Sequence, residues 1–367
     1  MTDTDLFAPC TFNGLSLKNR IVMSPLTRAR ADMEGNAGAL QAEYYAQRAS
    51  AGLLITEATA VVPEGRGGPF LPGLWDDRHV AAWRLTTEAV HAKGGRIFCQ
   101  LWHAGRLSHS SLHPKGEAPV APSPYRQKGK VVGANGPVDY EEARALRLDE
   151  LPGVVDAFRQ AARRAREAGF DGVEVHGAHS YLLDSFLRDM TNRRTDAYGG
   201  TIENRARLLL EVMAAVAQVW GPERTAVRLS PIGHAYDAWD SDPEPLFTHV
   251  VEQLNALRIG WLDLVEGDTG VSRDAEPSFD LGKLRRLFKG ALIANNLYDL
   301  ELAVQARRTD AADLIAFGRP FIGNPDLVER LQAGAPLVEA DRRTYYSGGE
   351  KGYIDFPPMS RKDPAAG

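Results

Sequence analysis

Eight times along the chain, a strand-length run rich in leucine or β-branched residues gives way to a stretch with helical periodicity. The runs are Arg20–Leu26, Gly52–Ala58, Arg96–His103, Gly172–Gly177, Thr225–Pro231, Trp261–Gly267, Leu292–Asn296 and Leu314–Pro320. Several are almost continuously apolar, as parallel strands covered on both faces must be. Val154, Val155, Phe158, Ala161, Ala162 and Ala165 recur at helical spacing, and Gly169 follows as a C-terminal cap. A second helix is predicted from about Glu203 to Trp220, stopped by Gly221-Pro222. Eight strand–helix units predict an α/β chain that forms a single (β/α)8 TIM barrel across residues 1–367. A doubly wound sheet is the alternative, because periodicity does not report closure.

Two additions to the repeat stand out. Before the first run, Asn13-Gly14 sits between β-prone residues, the signature of a hairpin that could plug the barrel bottom. After the third run comes a long Pro/Gly/Ser-rich excursion, Ser108 to Pro137, read as a lid or a disordered loop. The segment Tyr345 to Gly367 carries no strong periodicity.

Composition narrows the partners. Lys+Arg 43 against Asp+Glu 48 leaves a net charge of −5, so no basic field points to nucleic acid or an anionic membrane. Cys10 and Cys99 are too few for a disulfide framework, a zinc ribbon or a four-cysteine iron–sulfur cluster. The opening MTDTDLFAPC has neither a basic nor an apolar leader region, and the apolar runs fall far short of a membrane span. A cytoplasmic protein, monomer or homodimer, is the expectation.

Barrel enzymes build their sites where strands become loops at the C-terminal mouth. Gln100 and Trp102 share one face there, because strand side chains alternate. His176 and His179 follow the fourth run, with Tyr181 two residues on. Arg228 lies inside the fifth run, an expensive buried cation unless it faces an anion or an electron-rich heterocycle. Gly318-Arg319 beside Asn295-Asn296 has the form of a phosphate cup after the last two strands. Phosphate cup, amide for a pyrimidine edge and cation together describe flavin mononucleotide (FMN) better than any simple substrate.

The motifs that make this specific are Asn19 through Arg28, Gln100 through Arg106, and His176 through Leu182. Asn192 through Gly200, Glu203-Asn204-Arg205, Asn324-Pro325-Asp326 and Gly352 through Pro357 extend them almost to the C-terminus. With them the chain resembles the old yellow enzyme family of FMN-dependent ene-reductases, in particular its bacterial N-ethylmaleimide reductase and pentaerythritol tetranitrate reductase branch. The resemblance implies non-covalent FMN, NAD(P)H as co-substrate, and reduction of activated C=C bonds in α,β-unsaturated carbonyl or nitro compounds by a ping-pong reaction. It implies that Pro25, Thr27 and Ala58 contact the flavin ring, that Gln100 and Arg228 meet its pyrimidine edge, and that Asn296, Gly318 and Arg319 hold the phosphate. His176 and His179 would clamp the substrate oxygen, Tyr181 would protonate the α-carbon, and Trp102 and Tyr353 would line the substrate cavity. Two positions depart from the family pattern: Asn295 stands where relatives often have glycine, and Arg66 where bacterial relatives often carry an aromatic residue near the cavity.

Plainer readings compete. His176 and His179 could be half of a zinc site in a metal-dependent barrel hydrolase, with His103 the nearest third ligand. Arg228 could be a structural cation paired with an acid such as Glu266. A catalytically silent flavin- or nucleotide-binding barrel is the remaining rival. Cys99, beside Gln100, should point away from the lumen as an inert buried thiol. Arg163, Arg164 and Arg166 should form a solvated helix face.

Overall fold

In the computed structural model, which describes residues 4–274 and 279–359, eight parallel strands close on themselves. They are Ile21–Met23, Leu53–Ile55, Ile97–Trp102, Gly172–Gly177, Thr225–Leu229, Trp261–Val265, Ala291–Asn295 and Leu314–Phe317. Each pairs with the next in sequence. The eighth returns to the first through Ile315↔Ile21, and the third and fourth meet through Gly172↔Phe98 and Val173↔Cys99. The barrel is therefore closed, and the doubly wound alternative falls away. Every strand is shorter than or equal to its predicted run, because the mouth-side residues turn out of the ladder to build loops.

Alternation along each strand divides the residues into two sets. Ile21, Met23, Leu54, Cys99, Leu101, Val173, Val175, Val227 and Leu262 face outward, under the helices. Cys99 is fully buried there, and loss of water pushes its thiol up to about 12. The inward set at the bottom includes Val22, Leu53, Ile55, Phe98, Ala226, Trp261, Ala291 and Ile293.

The predicted hairpin caps that lower layer. Cys10–Phe12 pairs antiparallel with Leu15–Leu17 across Asn13 and Gly14, whose φ of 50° and 71° supply the left-handed turn. Leu15 and Leu17 join the lower layer, and Phe12 meets the Trp261 ring edge-on at 6.1 Å.

Helices cover the outside. Leu151–Glu167 buries Phe158, Ala161, Ala162 and Ala165, while Val154 and Val155 are only half-buried. Arg163 and Arg166 are exposed on its far side, and Arg164 is half-buried. Ile202–Trp220 ends where Gly221 takes φ 79°. No helix of the described residues is long and apolar enough to cross a membrane.

The excursion after the third strand is a correction to the sequence reading. It is neither a structureless lid nor disordered. Lys130–Gly133 pairs with Gly136–Asp139, and Glu142–Ala145 lies between Val120–Ala121 and Tyr125–Arg126. Short strands separated by glycine and proline bury Val131 and Tyr140 against Leu107 and the Tyr181 ring, and so build one wall of the mouth.

Candidate active site

At the mouth the inward-facing residues turn polar. A cavity of about 640 Å³ opens there, within the size range of small-molecule and cofactor sites. Pro25, Thr27, Ala58, Gln100, His176, His179, Tyr181, Arg228, Asn296, Gly318 and Arg319 all line it. Seven of the eight strands contribute to this set directly or through the loop that follows them.

Its floor is a layer of buried polar groups. Gln100 donates from Nε2 to Glu174 Oε1 at 2.8 Å, and Arg228 donates to the Asp263 carboxylate. This corrects the pairing considered for Arg228: its acid is Asp263 on the adjacent strand, while Glu266 pairs with Arg273 at 2.9 Å. Burial, reinforced by the negative charge of Asp263, raises the Glu174 carboxyl above the carboxylate range.

The histidines and Tyr181 form one side. His179 and Ser180 both take left-handed backbone, φ 56° and 67°, a strain that side-chain contacts must hold. Ser180 N–H donates to Asp184 at 2.7 Å, and Asp184 is locked by Arg188. His179 N–H donates to Ser230 Oγ at 3.0 Å. The His176 ring stands 5.5 Å from that of His179 and 4.9 Å from that of Tyr181. Ala178 N–H donates to His176 Nδ1 at 3.3 Å, which leaves the proton on Nε2. Burial, with the nearby Arg228 charge, holds His176 well below its usual range and brings His179 down to about 3, so both rings are neutral at physiological pH. Burial raises the Tyr181 phenol well above its usual range, so it stays protonated.

The opposite end is made by the loops after the last two strands. Asn296 takes φ 111° and Leu297 φ 55°, so the left-handed turn falls one residue beyond Asn295. Asn295 instead ends its strand and donates to Ser24 Oγ at 2.8 Å. The Asn296 side chain is committed: it donates to the carbonyls of Glu266, Asp268 and Ser272 and accepts from Gly270 N–H at 2.8 Å. Only its backbone is free to face a ligand. Gly318 has no side chain to fill the cup, and an added Cβ would stand 3.4 Å from Leu26. Arg319 reaches the Gly270 carbonyl at 3.0 Å.

Two expected residues lie elsewhere. Trp102 lines a neighbouring cavity of about 760 Å³, which shares Thr27, Tyr181, Tyr236 and Tyr346 with the first. Its ring meets Tyr181 edge-on at 5.1 Å. Tyr353, expected to line the substrate cavity, does not: it is fully buried behind the site, stacked on Tyr44 at 4.1 Å. Arg28 bonds the carbonyls of Tyr345 and Gly352, and Arg30 those of Thr344, Tyr345 and Gly349, which draws Tyr353 inward and leaves Tyr345 and Tyr346 at the mouth. Tyr236, Tyr345 and Tyr346 are among the mouth residues sequence reasoning missed. Tyr236 lies in the single 3-10 turn Ala235–Asp237 and the other two in loops, segments too short or irregular for periodicity, so only their aromatic character could have flagged them. Arg66 also turns away, to the carbonyls of Met33 and Leu112.

A closed barrel whose mouth joins a buried amide and guanidinium, a glycine-arginine cup and a neutral His-His-Tyr group defines a cofactor-dependent barrel oxidoreductase. Comparison with known proteins agrees. The NADH:flavin oxidoreductase / NADH oxidase family matches residues 5–337. The chain is similar to 12-oxophytodienoate reductase 7 of Oryza sativa subsp. japonica, 43% identical over 97% of this chain and 96% of the relative. It is also similar to 12-oxophytodienoate reductase 2 of Arabidopsis thaliana, 41% identical over 96% of each. Among solved structures, the old yellow enzyme homologue from Zymomonas mobilis superposes with TM-score 0.93 at 46% identity, over 97% of this chain and 100% of that one. Morphinone reductase in complex with tetrahydroNAD gives TM-score 0.92 at 46% identity, over 98% of both chains.

The chain belongs to the old yellow enzyme family of FMN-dependent oxidoreductases. The hydrolase alternative finds no support beside this. Among the described residues no three His, Cys, Asp or Glu side chains gather as a metal-holding group, and His103 Nδ1 accepts from Gly105 N–H at 3.0 Å.

Proposed function

We propose that this chain holds FMN non-covalently and, with NAD(P)H as reductant, reduces activated C=C bonds of α,β-unsaturated carbonyl or nitro compounds, as an enzyme of the N-ethylmaleimide reductase type. The observation that carries this reading is the sharing of one cavity by the Gln100–Arg228 floor, the Gly318-Arg319 cup and the neutral His176, His179 and Tyr181. Its relatives, reductases of 12-oxophytodienoate and of morphinone, support a reductase.

FMN, when bound, supplies hydride transfer. Gln100 and the charged Arg228 would hold the pyrimidine edge of the ring, Pro25, Thr27 and Ala58 would line it, and Gly318 and Arg319 with the Asn296 backbone would hold the phosphate. His176, its Nε2–H available, and His179 would orient the substrate oxygen and draw electrons from the double bond. A carbanion then forming at the α-carbon needs a proton, and Tyr181 carries one at every physiological pH. Leu107, Val131 and Tyr140 pack beside Tyr181 and give that side of the site an apolar wall.

Replacing Tyr181 by Phe tests this most sharply, since only the hydroxyl is lost. Stopped-flow measurement should find flavin reduction by NADPH nearly unchanged and reoxidation by cyclohexenone slowed ~10²–10⁴-fold, the usual share of general acid catalysis. Slowed flavin reduction with normal enone turnover would move Tyr181 to nicotinamide binding and overturn its role as proton donor.

A further inference from the structure

Four consecutive strands, the third to the sixth, each send one polar side chain to the same level of the lumen. The register puts Glu174 opposite Gln100 and Arg228 opposite Asp263. None of the four is more than 4% exposed. Gln100 bonds one oxygen of Glu174, and Arg228 bonds one oxygen of Asp263. The second oxygen of each carboxyl, Glu174 Oε2 and Asp263 Oδ1, is buried and has no partner among these contacts.

Counting charge makes the problem plain. Two ionised carboxyls and one guanidinium leave a surplus negative charge in a space closed to water, which is strongly unfavourable. Among the described residues no other cation facing the layer neutralises it: His176 on the strand of Glu174 and His179 beyond it are neutral, and the seventh and first strands contribute Asn295 and Ser24. A single proton between the two carboxyls removes the surplus and gives both orphan oxygens a partner.

We propose that Glu174 and Asp263 share one proton, held on Glu174 and donated to Asp263, and that this pair sets how much of the Arg228 charge reaches the bound cofactor. The proposal rests on FMN seated against Gln100 and Arg228. Glu174 is then a positioning residue. By taking one amide N–H of Gln100 it leaves Gln100 Oε1 to face the cavity. Burial and the Asp263 charge both favour the protonated Glu174. The pair is also linked to reduction. Two electrons arriving beside Arg228 bring negative charge, which strengthens the hold of the pair on its proton. Over the alkaline range where the oxidised enzyme has lost that proton, each two-electron reduction draws one proton from solvent and forms one O–H bond on Glu174. The nicotinamide hydride supplies the electrons, and no other bond changes in the pair.

The test is the midpoint potential of the flavin holoenzyme as a function of pH, from neutral to alkaline, in wild type, Glu174→Gln and Asp263→Asn. Wild type should show an alkaline stretch steeper by one proton per two electrons. Glu174→Gln should lack it, since titration of the flavin itself is common to both. In Asp263→Asn the steep stretch should move to lower pH, because the neighbour that raises Glu174 is gone. Infrared spectra of wild type should contain a carboxylic-acid carbonyl band that shifts in D2O and is lost in Glu174→Gln. Should Glu174→Gln fail to fold, the Asp263→Asn potentials and the D2O shift in wild type decide instead. Equal slopes in all three proteins overturn the shared proton while leaving the cofactor seat intact. Unchanged FMN affinity and potential in Arg228→Met would place the cofactor elsewhere and overturn both.

Discussion

Along five barrel strands the side chain that points into the lumen changes character within two residues. Val22 is followed by Ser24, Phe98 by Gln100, Ala226 by Arg228, Trp261 by Asp263 and Ile293 by Asn295. The lower layer is packed mainly by shape: Phe98 and Trp261 meet edge-on at 5.7 Å, and an added Cβ on Gly172 would stand 2.5 Å from the Phe98 ring. The upper layer is just as buried, yet each of its groups needs a chosen partner. An apolar side chain gains from any close-packed neighbour, whereas a buried polar group costs about 1–3 kcal/mol when its partner is missing. The difference teaches where the barrel stores stability and where it spends some of it to hold charge in a fixed direction.

The largest effect should come from the lower layer. Phe98→Ala should cost about 4 kcal/mol of stability by cavity formation. FMN affinity of the folded fraction should stay near that of wild type, measured by denaturation with and without cofactor. A large loss of affinity would erase the division between layers. Arg228→Met should cost about 3 kcal/mol, because the buried Asp263 carboxylate loses its cation, and FMN titration should show weakened binding as well.

The layers should also differ in pH dependence. Loss of water pushes the Glu57 carboxyl up to about 7, although the backbone N–H groups of Arg28 and Ala29 bond it. Unfolding returns it to the ordinary carboxylate range. Between the two values the folded chain binds more protons, so stability falls as pH rises, by about 3 kcal/mol. Glu57→Gln should flatten that fall in denaturation curves measured at ~pH 5 and ~pH 8, which span most of that range. Phe98→Ala should lower the whole curve without changing its shape. Smallest of all, Gly14→Ala in the hairpin plug should cost about 1 kcal/mol through its φ of +71°, with no change in flavin spectrum or affinity.

The sequence by itself carried the eight strands, the hairpin and the motif residues. Strand alternation and Asn-Gly turns are local, so they survive without knowledge of neighbours. It also placed Gln100, His176, His179, Tyr181 and Arg228 on one rim, because each lies at or just beyond a strand end. Tertiary structure decided the rest. Asp263, not Glu266, holds Arg228, because register aligns them across adjacent strands. The Asn296 side chain ties down a loop, and Tyr345 and Tyr346 reach the mouth while Tyr353 is buried. That last choice is made by Arg28 and Arg30, which grip carbonyls more than 300 residues away in sequence. No periodicity can encode such a contact: a guanidinium bonds any carbonyl that folding brings within reach, and only the closed barrel brings these.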